Sequence, residues 1–276
     1  MLSGMKSNQL ATARILVLSL CLGLVGCAGL AKSWNRAKAD QLITDAGKKF
    51  AANDLKGNIQ LLKDAARIDP KNPRVWWKLC EGYQLIEELD LAIAACKQDV
   101  ELHPTNGTSY NSLGLAYMAK KDYSKAVEAF EMAVVKSPQP ALYGNYVWAL
   151  QSSGQYEKAV RAAERMVELS SNDTSEIRSS LQTLTGACFA VQQYDKAISV
   201  TQKLVDLDAN DPSEQTSALE MLGAIYTLTG QTKKAQEAFD KVHAVNPELT
   251  VKTCEVTGDK EKGFGRKWTF THFPRP

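Results

Sequence analysis

Histidine is scarce in this sequence, with three in 276 residues: His103, His243 and His272. There is no His-Glu-x-x-His, no Cys-x-x-Cys, no glycine-rich phosphate loop and no Gly-x-Ser-x-Gly turn. The patterns that build zinc sites, phosphate cradles and nucleophile elbows are therefore missing, and neither a catalytic constellation nor a metal or cofactor site is expected. His103 and His243 fall near the ends of expected helices, where partial positive charge complements the helix dipole. Net charge is also nearly absent. Lys and Arg number 33 against 31 Asp and Glu, so the basic excess of a nucleic-acid binder is not there. Six cysteines are too few for a disulfide-dense scaffold. No small-molecule substrate is implied by any motif.

Long apolar runs are missing too. The stretch Ile15 to Val25 would span roughly 16 Å as a helix, about half a hydrocarbon core. Residues 1–26 contain Lys6 and Arg14 and no acidic residue, so the segment has the layout of a secretory leader. Leu24-Val25-Gly26-Cys27 resembles the lipobox of bacterial lipoprotein signal peptides. That resemblance implies a diacylglyceryl group on Cys27 and loss of residues 1–26; a plain signal peptide that happens to hold a cysteine is the alternative. Ala28 and Gly29 differ from the aspartate that marks inner-membrane retention in enterobacterial lipoproteins. The implied address is the outer membrane, facing the periplasm. Cleavage would leave 250 residues with 31 charges of each sign, residues 27–38 acting as a lipidated tether.

The body of the chain repeats itself. Aligned on a small residue early in every second helix, the series is Asn58, Ala92, Ala126, Ala159, Ala197 and Ala235, with spacings of 34, 34, 33, 38 and 38. Tyr110, Leu113, Gly114, Tyr117, Ala126, Phe130, Ala133 and Pro138 carry the clearest unit. Trp76, Leu79, Tyr83, Ala92 and Pro104 carry a second, and Leu222, Gly223, Tyr226, Gly230, Ala235, Phe239 and Pro247 a third. These residues resemble the tetratricopeptide repeat. The fold class expected is all-α: a solenoid of about six helix-turn-helix units over residues 39–250, each unit burying its apolar face on its neighbours. Turns are expected at Lys121, Gly154 and Gly230. The two 38-residue spacings add about one helical turn near Ser171–Thr174 and Asn210–Pro212.

Residues 251–276 leave the repeat. They hold six Lys/Arg against three acids, with Trp268, Phe270 and Phe273. Two readings stand for this C-terminal extension: a cap packing its aromatics on the last helices, or a basic aromatic arm for a partner or headgroups. Cys80 occupies the glycine-like contact position of one helix and Cys96 the phenylalanine-like position of its antiparallel partner. A disulfide between them fits that geometry; two small buried hydrophobes is the other reading.

In tetratricopeptide arrays the first helices line a concave groove. Offsets from the anchors Leu42, Trp76, Tyr110, Tyr143, Leu181 and Leu219 place Ile43 and Phe50, Trp77 and Leu85, Asn111, Leu115 and Met118, Trp148, Phe189, and Leu228 on that surface. The set is mostly apolar and aromatic, and it lacks the cations of a carboxylate clamp. It suits an amphipathic helix or extended apolar segment of another protein, although a stripe at helical spacing also reads as core. Lipobox and repeats together resemble the type IV pilus pilotins of the PilF/PilW and Tgl family. That resemblance implies a membrane-tethered, non-enzymatic scaffold that holds a secretin segment until the ring assembles. An envelope adaptor for cell-wall hydrolases or proteases of the NlpI type is the alternative. A periplasmic enzyme on a repeat scaffold is opposed by the missing motifs.

Overall fold

A computed structural model describes residues 30–171 and 173–246, with the backbone of 252–254 and 270–272. Among the described residues there are twelve α-helices in sequential pairs. They are α1 (30–51), α2 (Leu55–Ile68), α3 (Val75–Leu85), α4 (Leu89–Leu102), α5 (Gly107–Ala119), α6 (Tyr123–Lys136), α7 (Pro140–Ser152), α8 (Tyr156–Leu169), α9 (Thr174–Ala190), α10 (Tyr194–Leu207), α11 (Pro212–Leu228) and α12 (Thr232–Val245). Two short strands, β1 (Lys252–Cys254) and β2 (Phe270–His272), pair antiparallel with Lys252 opposite His272. By internal contact the chain divides into a unit ending at Pro104 and a unit beginning at Thr105.

The turn inside each helix pair is made the same way. One residue per turn takes a left-handed backbone: Asn53 (φ 58°), Glu87 (61°), Lys121 (62°), Gly154 (76°), Gln192 (60°) and Gly230 (72°). Only two of the six are glycine, so the fold tolerates at the others a conformation that costs an L-residue about 1 kcal/mol or more. The expected turns at Lys121, Gly154 and Gly230 are among them.

Each pair also has one equivalent crossing position on each of its helices, sixteen residues apart. The positions are Ala46 and Leu62, Cys80 and Cys96, Gly114 and Phe130, Val147 and Ala163, Thr185 and Thr201, and Gly223 and Phe239, all buried except the half-buried Phe239. At Gly114 a Cβ would come within 2.7 Å of the Phe130 ring, and at Gly223 within 2.7 Å of Phe239. Glycine is required there because the ring occupies the side-chain space. The Cys80–Cys96 pair is joined by a disulfide, with a Cα–Cα distance of 5.1 Å.

In the first unit, α1 buries Ala39, Ile43 and Ala46 on one stripe, the i, i+4, i+7 pattern of a helix face. Two asparagines fasten it. Asn58 on α2 donates from Nδ2 to the Ala46 carbonyl at 2.8 Å, and Asn72, before α3, donates to Asp40 Oδ1 at 3.0 Å. Residues 30–38, within the stretch expected as a lipidated tether, are an exposed helical extension of α1.

In the second unit the length anomaly is explained. α9 and α11 have 17 residues each, against 13 in α5 and α7, so the extra turn goes onto the start of the first helix. Asp173 caps α9 by accepting from the Ser175 and Glu176 amides, and Asp211 caps α11 likewise from Ser213 and Glu214. Arg178 directly follows the added turn of α9, and its Nε and Nη2 donate to Asp208 Oδ1 at 2.9 and 2.7 Å. Asp208 ends α10 and is buried, and Glu214 on α11 lies 3.7 Å from the same guanidinium. The bonds to Asp208 raise the Arg178 pKa further, and they satisfy a buried carboxylate that would otherwise be costly.

Candidate functional site

The residues expected to line a groove divide by burial. In the first unit, Trp77 is 40% exposed on α3, with Phe50 and Leu85 also exposed. Trp77, Glu81 and Leu85 follow one another at four-residue steps, so they share one face of α3. Lys78 Nζ lies 4.2 Å from the centroid of the Trp77 ring, a cation–π contact that covers part of the indole. Ile43 does not belong to this surface. It is 1% exposed because α2 and the turn before α3 are both fastened onto α1 by the asparagine bonds above.

In the second unit, α5, α7 and α9 lie side by side. On α7, Trp148, the one tryptophan among this unit's described residues, is 52% exposed. Next to it in the array, Asn145 Nδ2 on α7 donates to Asn111 Oδ1 on α5 at 2.8 Å. Both amides are half-buried. The bond uses one hydrogen of Asn145 and one lone pair of Asn111, so each amide keeps further capacity for a partner's backbone. Leu115, one turn along α5, is half-buried. Met118 leaves the surface: it is 5% exposed. Contacts of α5 with both α6 and α7 narrow the open face of that helix below what a fixed offset assumes.

Further along, Phe189 on α9 is half-buried and meets the Tyr194 ring edge-on, with centroids 5.5 Å apart. Its ring is fixed before any partner arrives, which suits a floor better than an adaptable lip. On α11, Leu228 is exposed. Glu220, half-buried on the same helix, has its carboxyl pKa pushed up by burial.

The surface can therefore do recognition chemistry. Indole and aliphatic area is available for an apolar segment, and the paired amides offer hydrogen bonds to an extended backbone. Asn145 was not among the expected lining residues; its spacing of 34 from Asn111, equal to the repeat, was the available signal. Among the described residues there is no group of three or more His, Cys, Asp or Glu placed to hold a metal. Cys188 is buried and its thiol pKa is raised by burial, so it is not an activated nucleophile. No helix among the described residues is long and apolar enough to cross a membrane. Cys27, the leader and the aromatic side chains of 251–276 lie outside the described residues.

The tetratricopeptide-repeat family profile matches residues 107–134 and 216–248. These are the α5–α6 and α11–α12 pairs, the two that cross by a ring on a glycine. A stretch of 102 residues is 30% identical to small glutamine-rich tetratricopeptide repeat-containing protein 2 of Mycosarcoma maydis, covering 37% of this chain and 29% of that protein. The chain thus matches well under half the length of that relative. Among solved structures it is similar to PilF of Pseudomonas aeruginosa (TM-score 0.55, 16% identity, 78% of this chain and 95% of that one). It is similar also to PilW, described as a widely conserved type IV pilus biogenesis factor (0.54, 18%, 76% and 94%). A third is YrrB, a tetratricopeptide-repeat protein with an unusual peptide-binding site (0.53, 22%, 68% and 93%). At these identities the likeness is one of fold. Sequence spacing, helix pairing and profile agree on an all-α fold of about six helix-turn-helix units of the tetratricopeptide-repeat type.

Proposed function

We propose that this protein is a lipid-anchored envelope scaffold that holds an apolar segment of another envelope protein, and that it assists type IV pilus biogenesis by helping the secretin assemble in the outer membrane. Tetratricopeptide repeats bind peptides and proteins, and the observation that carries the reading is the α5–α7 face. There an exposed Trp148 stands beside the Asn145–Asn111 amide pair. An indole anchor next to free amide capacity fits a segment that is apolar in its side chains and unsatisfied in its backbone, as a strand awaiting its sheet is.

Two observations support the address. The lipobox at Leu24–Cys27 supplies the anchor and its periplasmic orientation. The Cys80–Cys96 disulfide suits an oxidising compartment, where such bonds persist. The likeness to PilF and PilW supports the choice of secretin over other envelope partners only through the fold.

The test is direct binding. Detergent-solubilised full-length protein is mixed with secretin protomers, and separately with cell-wall hydrolases, and affinity is measured for the wild type and for Trp148→Ala. The expected result is binding to the secretin alone, weakened about thirtyfold by the substitution, since a central aromatic anchor contributes about 2 kcal/mol or more. Equal binding by wild type and variant would overturn the surface assignment, and binding to hydrolases alone would overturn the pilus role.

A further inference from the structure

The first turns of α1 do no packing. Residues 30–38 are helical and exposed throughout, and the core stripe begins only at Ala39. Nine residues of helix extend about 13 Å, so this is a rod projecting from the packed helices of the first unit. It carries the two most exposed large apolar side chains among the described residues, Leu30 at 74% and Trp34 at 72%. They are four residues apart and therefore share a face. At about 100° per residue, Leu30 lies roughly opposite the stripe of Ala39, Ile43 and Ala46. That apolar edge cannot turn into the protein's own core.

Charge runs with it. Lys32, Arg36 and Lys38 stand in this stretch, and the first acidic residue of the entire sequence is Asp40. The cations end where packing begins. Lys38 falls beside Trp34 around the helix, while Lys32 and Arg36 stand on the opposite, polar face, with stems long enough to bend back past the backbone. A Trp and a Leu on one edge with cations beside it and on the opposite face is the pattern of a helix lying in a lipid headgroup layer. Cys27 is three residues before Leu30, and three residues span at most about 10 Å.

We propose that residues 30–38 seat the protein on the bilayer: Leu30 and Trp34 enter the boundary between headgroups and acyl chains, and Lys32, Arg36 and Lys38 contact anionic headgroups. This rests on the lipid-anchor reading above and adds to it. The acyl group fixes only a point, about which the protein could swivel. A helix held along the surface fixes how α1, and so the first unit, meets the membrane. Charge complementarity selects lipid as the occupant, because the stretch carries three cations and no acid with which a second copy of itself could pair.

The experiment uses the full-length lipidated protein in vesicles of phosphatidylethanolamine and phosphatidylglycerol whose acyl chains are brominated near the headgroup. The chain has five tryptophans, so Trp34 emission is obtained as the difference between wild type and Trp34→Phe. The expected result is a blue-shifted Trp34 signal quenched by the bromines, with the quenching falling by roughly half in K32E/R36E/K38E. A Trp34 signal open to aqueous iodide and untouched by bromine, in protein that still floats with the vesicles, would overturn the seat and leave the anchor standing. A blue-shifted but unquenched signal would overturn it in favour of a protein occupant such as a second copy. Protein that does not float at all would overturn the anchor and the seat together.

Discussion

The crossing of α3 on α4 and the crossing of α9 on α10 fill one gap with opposite chemistry. In the first, Cys80 and Cys96 are covalently joined and wholly buried. In the second, Thr185 and Thr201 face each other with their hydroxyls 3.4 Å apart, and Thr201 also donates to the Ala197 carbonyl at 2.8 Å. Two further pairs fill the gap with a ring against a glycine. The crossing therefore demands a summed volume and leaves the chemistry open. What differs between the pairs is how strongly each is held once formed.

That contrast can be broken most forcefully by removing volume. Phe130→Ala should destabilise the α5–α6 pair by about 3–5 kcal/mol, since the ring is fully buried over Gly114 and its removal leaves a cavity facing a residue with no side chain. Hydrogen exchange is the suitable readout, because an array need not unfold in one step. Protection lost along α5 and α6 is expected; unchanged protection there would show that the gap can close without its filler.

Next in size is the covalent crossing. The Cys80→Ala/Cys96→Ala variant should lose about 3 kcal/mol, since the bond spans a sequence separation of 16. Faster exchange should be centred on α3 and α4, and dithiothreitol should reproduce it in the wild type. A variant as stable as the wild type would mean that the two cysteines serve only as packing volume. Smallest is the polar crossing. Thr185→Val/Thr201→Val keeps the shape and removes both hydroxyls, so stability should stay within about 0.5 kcal/mol, whereas Thr201→Val alone strands its partner and should cost about 1 kcal/mol. If the double variant were the worse of the two, the crossing would depend on its hydroxyls after all.

Much of this was legible in the sequence, because spacing survives where residue identity does not. The helix pairs, the turns at Lys121, Gly154 and Gly230, and the Cys80–Cys96 juxtaposition all followed from a ladder of small residues. The surface was less legible. Ile43 and Met118 were placed in a groove by counting along each helix, but exposure depends on neighbours. α1 is clasped by Asn58 and Asn72, and α5 by α6 and α7. The Asn145–Asn111 bond left only its repeat-length spacing of 34 as a signal, and the Arg178–Asp208 bond, between residues 30 apart, emerges only once the helices are stacked. The extension of α1 through residues 30–38 was missed because exposed Leu30 and Trp34 offered no core stripe to read.

One consequence lies in the turns. From Ala46 to Leu62 and on to Gly223 and Phe239, every crossing joins residues sixteen positions apart, while the chain between successive pairs varies. Each hairpin must therefore close a loop of the same length, at nearly the same entropic cost. Differences in the rate at which the hairpins form then arise from their fillers and from the four turns that force an ordinary residue into left-handed backbone. Contacts this local give a low contact order and fast formation of individual hairpins. The chain can thus fold piecewise from one end, each hairpin complete before the next sixteen-residue crossing is available.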